Sequence, residues 1–314
     1  MQIRHRLLAL CASFVCLGQQ PIRVDVHLVN VSFTVRDTRG ALVSNLTADD
    51  FDVIEDGVPQ KIAFFARSSD VPLTLGLLAD VSGSQDPFVK KHEHDLKEFL
   101  KTVLTPRDRA FLLCFGNHLR LASDLTGDPA EILDGLKEFD RHKRHFPEIG
   151  PDDEERILGT AFYDAIYYSV REKLDKTDSG RRALIIFSDG EDNSSAHHMM
   201  EALEAAQTSN VLLYGVRYTE TKHGHWNARN KYGRRVMARL AQDSGAADFD
   251  AREGNVRDYF KQIAEELRSS YELAYHSTNP TNDNVFRRIV VRPKVPDVKV
   301  RTKTGYYSRP DPTS

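Results

Sequence analysis

The sequence predicts an α/β fold: a doubly wound, mostly parallel sheet with helices on both faces, plus a smaller β-sandwich-like module built from the N- and C-terminal flanks. Three observations carry this expectation. The runs LTLGLLA (73–79) and ALIIF (183–187) are short and almost unbroken in apolar character, as strands covered on both faces are. Between and after them, helix-spaced segments alternate with further short apolar runs. Outside that stretch, on both sides, apolar and polar residues alternate with the period of half-buried strands.

The elements follow in chain order. Arg4, His5 and Arg6 precede an apolar stretch, 7–18, that is short for a bilayer span. It reads as a secretory signal peptide over 1–20, cleaved near Gly18, which places the mature chain in the periplasm or outside the cell with no membrane span; a short anchor or a buried helix is the alternative. Cleavage removes Cys11 and Cys16 and leaves Cys114, inside the apolar run 110–115, as a small core residue rather than a nucleophile.

Residues 21–70 form an N-terminal β-strand module. Val24, Val26 and Leu28 alternate, then Val29, Val31, Phe33 and Val35 in the opposite phase, which predicts a bulge near Leu28. A turn is expected at 37–40, and Asp56-Gly57 signals a hairpin joining 51–55 to 61–65. Some forty-five residues of strand can hardly bury a core alone. Residues 269–314 also alternate, at 271–275, 286–291 and 298–302, so the two flanks are expected to pack as one discontinuous sandwich around an inserted domain, 71–268. Two separate flanking modules are the alternative.

Within 71–268, Phe88, His92, Leu96, Phe99 and Val103 share a helix face after Pro87. Residues 110–115 make a strand, 129–139, 162–173 and 196–208 helices, and 211–216 a strand. Asn255 can cap a last helix striped by Val256, Tyr259, Phe260, Ile263 and Leu267.

The chemistry lies where two of these strands end. Asp80-Val-Ser82-Gly-Ser84 follows the first buried run directly, and Asp189 follows the second. Parallel strands of a doubly wound sheet end on one edge, so residues distant in sequence converge there. Hydroxyls and carboxylates are the oxygen donors that hard cations such as Mg²⁺ prefer. Turn and helix-cap roles are the bland alternative for either segment alone.

These segments resemble the von Willebrand factor type A domain family, and in particular bacterial secreted proteins of that family with a flanking β-module. Asp80-Val-Ser82-Gly-Ser84 is similar to its DxSxS signature. Gly159-Thr160-Ala-Phe-Tyr-Asp164-Ala is similar to the segment that supplies its metal-site threonine, and Ser188-Asp189-Gly190-Glu-Asp to its second aspartate segment. The resemblance covers roughly 71–267. It implies a metal-ion-dependent adhesion site holding Mg²⁺ or Mn²⁺, with Ser82, Ser84 and Thr160 as hydroxyl ligands and Asp80 and Asp189 acting directly or through water. It further implies a non-catalytic adhesion or assembly module, whose metal accepts an acidic side chain of a protein partner.

A net charge of −3 gives no electrostatic case for nucleic acid or an anionic membrane. Two polar segments stand out: 140–156, of mixed charge, and 219–235, which is basic, contains Trp226 and Tyr232, and reads either as a loop flanking the metal edge or as a solvated surface insertion. The histidine pairs His92/His94, His197/His198 and His223/His225 lack the i, i+4 spacing of a helical zinc site. Two other functions remain open. One is an Mg²⁺-dependent phosphatase-like hydrolase with Asp80 as nucleophile, although Ser82 stands where that chemistry needs a second aspartate. The other is an envelope scaffold working through its β-module.

Overall fold

Six strands form the central sheet of the computed structural model, which describes residues 28–67, 71–85, 88–140, 145–150, 159–177, 180–219, 225–279 and 283–308. The predicted signal segment, Val24 and Val26 lie outside the described residues. Strands are numbered along the chain. The first four are β1 (Leu28–Asp37), β2 (Phe51–Glu55), β3 (Val58–Gln60) and β4 (Ile62–Arg67). The central sheet then takes β5 (Leu73–Asp80), β6 (Arg109–Phe115), β7 (Leu119–Thr126), β8 (Arg181–Ser188), β9 (Val211–Arg217) and β10 (Asp248–Asp250). The last four are β11 (Tyr271–His276), β12 (Phe286–Pro293), β13 (Val298–Thr302) and β14 (Gly305–Tyr307).

The central order is β10-β9-β8-β5-β6-β7. Neighbours are parallel except β7, which pairs antiparallel with β6 at the edge. The chain leaves β5 for β6 on one side and later returns to β8 on the other, so the C-terminal end of β5 is a topological switch point, where such sheets open a crevice.

Both faces of this sheet are covered, which is why β5 and β8 read as apolar runs. Leu73, Leu75, Leu77 and Ala79 point into one core with α1 (Val89–Val103), α2 (Pro129–Asp140) and α6 (Val256–Ser269). Leu78, Leu184 and Ile186 point into the other, with α3 (Phe162–Tyr168), α4 (Met199–Thr208) and α5 (Ala228–Ser244). Asn255 caps α6 through its side chain, and Val256, Phe260, Ile263 and Leu267 are its buried stripe. Cys114 is buried in β6, where burial pushes its thiol up, away from the thiolate.

The flanks make one module. Two four-stranded antiparallel sheets, β13-β1-β11-β4 and β14-β12-β2-β3, each combine strands from both ends of the chain. Between them Phe33, Phe51, Phe65 and Tyr271 pack ring against ring. The module is bolted to the α/β domain by buried polar groups. Glu266 of α6 accepts from Arg36 of β1 at 2.6 Å, from Arg301 of β13 and from the Tyr214 hydroxyl at 3.1 Å. Lys303, buried beyond β13, donates to the Gln207 carbonyl of α4 at 2.8 Å.

Four expectations need correction. The Asp56-Gly57 turn does form, with φ of 47° and 85°, but its partner is β3; β4 crosses to the other sheet. No bulge interrupts β1 from Leu28 onward; in its sheet the register shift lies in the β11–β4 pairing at Ala274/Tyr275, where Ala63 of β4 is the extra residue. The helix expected over 162–173 changes at Ser169 to a π-helical turn, Ser169–Leu174. Finally, 219–235 is not one loop: Asn227 caps α5 by accepting from the Asn230 amide at 2.7 Å, and the helix starts at Ala228.

Candidate metal centre

Asp80 ends β5 and Ser188 ends β8, so the parallel register of the two strands brings their ends to one edge. The Asp80 carboxylate is fully buried. Its Oδ1 accepts from the Ser82 hydroxyl at 2.6 Å and the Ser82 amide at 3.0 Å, and its Oδ2 accepts from the Ser188 hydroxyl at 2.6 Å. Ser82 Oγ lies 3.2 Å from Ser84 Oγ, and Ser84 Oγ donates to Asp189 Oδ2 at 2.9 Å. Four of the five expected ligands are therefore joined in one hydrogen-bonded chain: Asp80, Ser82, Ser84 and Asp189.

Thr160 reaches the same edge by a different route. The Ala161 amide donates to the Gly116 carbonyl at 2.7 Å, and a Cβ at Gly116 would lie 3.7 Å from the Ser82 backbone. The segment after Asp189 grips Thr160 from the other side. Asn193 Oδ1 accepts from the Thr160 amide at 2.6 Å, while the Asn193 and Ser194 amides donate to the Thr160 carbonyl at 3.1 and 3.2 Å. Asp192 accepts from the Phe162 amide at 2.9 Å, taking the capping role that Ala161 cannot fill for α3. In return, Asp164 accepts from the Ala196 and His197 amides, both at 2.9 Å. Among the described residues, no hydrogen bond joins the Thr160 side chain to the other four expected ligands.

Sequence reasoning did not assign Gln85, Ser188, Asp192 or Asn193 a role. Gln85 is buried and donates from Nε2 both to Asp189 Oδ2 at 3.0 Å and to the Tyr218 carbonyl at 3.1 Å. The run Asp192-Asn-Ser-Ser195 carried a signal, since its short polar side chains are the types that bond to nearby backbone. Nothing in Gln85 itself marked it. His197 goes elsewhere: it bonds Asp164 Oδ1 at 2.8 Å and stacks on Tyr167 at 3.7 Å; His223 lies outside the described residues.

The electrostatics are those of an acidic edge. Burial, and then the nearby Asp189 charge, push the Asp80 carboxyl up to about 7 against the pull of its hydrogen bonds. Burial and Asp189 likewise raise Glu191. Among the described residues, no three His, Cys, Asp or Glu side chains cluster as a metal-binding group; the donors that meet here are two carboxylates and neighbouring hydroxyls. A dication suits that set, because it offsets both the repulsion and the cost of burial while asking only for oxygen. As a nucleophile Asp80 is poorly placed, being buried and with both oxygens already accepting hydrogen bonds.

Beside this edge lies a cavity of about 310 Å³ lined by Glu191, Asp192, Asn193, Ala228, Arg229 and Tyr232. Tyr232 closes toward α3, its hydroxyl 3.3 Å from that of Tyr163.

Fold and site together define a class: a doubly wound α/β domain with a hydroxyl-carboxylate edge, seated on a discontinuous β-sandwich. No family model matches the chain, and no curated protein matches it. Among solved structures it is similar to an aerotolerance-related membrane protein from Bacteroides fragilis NCTC 9343, carrying multiple mutations to serines, at 16% identity over 63% of this chain and 98% of that one, with a TM-score of 0.45. It is similar to the conserved hypothetical protein BatB from Bacteroides thetaiotaomicron at 19% identity over 63% and 97% of the two chains, with a TM-score of 0.44. A third likeness is to proximal thread matrix protein 1 of the mussel byssus, in a structure with a zinc-occupied MIDAS motif, at 12% identity over 68% and 50%, with a TM-score of 0.47.

Proposed function

We propose that this chain is a non-catalytic, divalent-metal-dependent protein-binding module of the von Willebrand factor type A kind, serving adhesion or assembly outside the cytoplasm. The observation that carries the reading is the hydrogen-bonded chain Asp80–Ser82–Ser84–Asp189 at the switch point of the sheet. Ser82, Ser84 and Thr160 are the hydroxyl donors for Mg²⁺ or Mn²⁺, and Asp80 and Asp189 hold it directly or through water. When bound, the ion supplies a Lewis-acidic position for an acidic side chain of the partner. The protein's own part is to hold the donors in place: Ser188 orients Asp80, Gln85 orients Asp189, and Asn193 fixes Thr160. The extracytoplasmic assignment rests on the apolar N-terminal segment 7–18. Among the described residues no helix is long and apolar enough to cross a membrane.

Calorimetric titration of the purified protein with Mg²⁺ and Mn²⁺ tests the reading, alongside the double variant Asp80→Ala, Ser82→Ala with its fold checked by circular dichroism. Saturable binding that is lost in the variant supports the site. Equal binding by both proteins overturns it.

A further inference from the structure

α5 lines two cavities of different charge, the first mixing Arg229 with two carboxylates and the second carrying cations alone. The one beside the metal edge includes Glu191 and Asp192. The other, of about 360 Å³, is lined by Trp226, Lys231, Arg234 and Arg235, and that volume is enough for a few side chains. Arg234 and Arg252 both lie over the Trp226 ring, 5.5 and 5.1 Å from its centroid. A guanidinium stacked on an indole is fixed in orientation while its N–H edge stays available for a carboxylate. Lys231, Arg234, Arg235 and Arg252 are exposed, and among the described residues none of their side chains has an ion-pair partner. Arg234 does act on the largely buried Asp248 carboxylate, but in a chain of net charge −3 four exposed cations around one indole are still a local concentration of positive charge.

We infer that this cavity docks an acidic peptide segment of a protein partner, with Arg234, Arg235 and Arg252 taking its carboxylates and Trp226 packing against its apolar atoms. Arginine and tryptophan are the side chains that most often anchor such contacts. A peptide suits the surface better than a nucleic acid. Nucleic-acid affinity accumulates over many phosphates along a track, whereas these cations surround one cavity and the neighbouring cavity on α5 presents Glu191 and Asp192. No residue of this pocket belongs to the metal ligand set, so either reading can fail while the other stands.

Trp226 is the chain's single tryptophan, so its fluorescence reports on this pocket alone. The full chain is titrated, with chelator present, with a short oligo-glutamate peptide, and in parallel with oligothymidylate and with inorganic phosphate. Calorimetry follows the same titrations, so that a spectroscopically silent contact is still detected. The expected result is saturable peptide binding that survives the chelator and weakens at least about tenfold in Arg234→Glu, Arg235→Glu. If that variant does not fold by circular dichroism, Lys231→Gln, Arg252→Gln takes its place. Absence of peptide binding, peptide binding indifferent to the substitutions, or tighter binding of oligothymidylate or phosphate than of peptide each overturns the inference.

Discussion

Ser188 donates a 2.6 Å hydrogen bond to Asp80 across 108 residues of sequence, and both side chains are fully buried. The bond ties the end of β8 to the end of β5 and fixes one carboxylate oxygen of the candidate metal centre. The same hydroxyl accepts from the Gly190 amide at 3.0 Å, which sets the course of the Asp189 segment.

Ser188→Ala is therefore expected to cost about 1–3 kcal/mol, because a buried carboxylate oxygen and a backbone amide both lose their partner. Urea denaturation should show a lower midpoint with an unchanged slope. The Asp80 carboxyl should also move further up, since the Ser188 hydroxyl is among the groups that hold it down. An unaltered midpoint would mean that the bond contributes nothing.

Gln85 tests the support of the other carboxylate. Its Nε2 joins Asp189 to the Tyr218 carbonyl, so Gln85→Ala leaves every proposed ligand present but frees Asp189 to reorient. Outer supports of this kind are typically worth about 10–100-fold in metal affinity. Mg²⁺ titration should show a loss in that range with the fold retained; an unchanged affinity would remove Gln85 from the site.

The junction between sandwich and domain turns on Glu266, which meets Arg36, Arg301 and Tyr214 while wholly buried. Glu266→Ala leaves two arginines without their shared carboxylate, at an expected cost of about 3–5 kcal/mol. Followed by far-ultraviolet circular dichroism and by tyrosine fluorescence, unfolding should lose its single transition, as the module no longer reports on the domain. Coincident, unshifted transitions would show that the junction is held by other contacts.

Much of this arrangement was legible in the chain, and the part that was not has physical reasons. β5 and β8 announced themselves because both faces are covered, and their ends located Asp80 and Asp189. The flanking strands showed their alternation, and their small number implied that they share a core. α5 was missed altogether: its first half was read as part of the polar segment 219–235, and its buried apolar residues, Val236, Met237, Leu240 and Ala241, fall in the second half alone, too short a stripe to stand out. β3 was missed because a three-residue strand containing Pro59 has almost no period to read. Gln85 acts through tertiary contacts, which leave no local pattern.

Lys303 gives the fold a pH signature. Burial, only partly countered by the Glu272 charge, lowers its amine from 10.5 to about 7. Between those values the unfolded chain holds a proton that the folded chain has released, so stability rises with pH across the window. Below about pH 7 the buried amine must be charged, and that part of the stability is missing. Thermal unfolding of the wild type should therefore strengthen from pH 7 to 9 relative to Lys303→Met, in which this contribution is absent. Parallel curves for the two proteins would contradict the assignment.

Two glycines at the candidate metal centre should respond differently to alanine. A Cβ on Gly233 would sit 2.3 Å from the Asp189 carbonyl and 3.2 Å from the Gly190 backbone, and backbone cannot yield as a flexible side chain does. Gly233→Ala must push α5 away from the Asp189 segment, so it is expected to lower both the melting temperature and the Mg²⁺ affinity. Gly83, between Ser82 and Ser84, has nothing within 4 Å of such a Cβ and no positive φ. Gly83→Ala should therefore be neutral or stabilising by up to about 1 kcal/mol, through the reduced freedom of the unfolded chain. It should also leave metal binding intact. If Gly83→Ala abolished binding while Gly233→Ala did not, the metal would depend on flexibility within the Asp80–Ser84 turn rather than on the packing of α5 against Asp189.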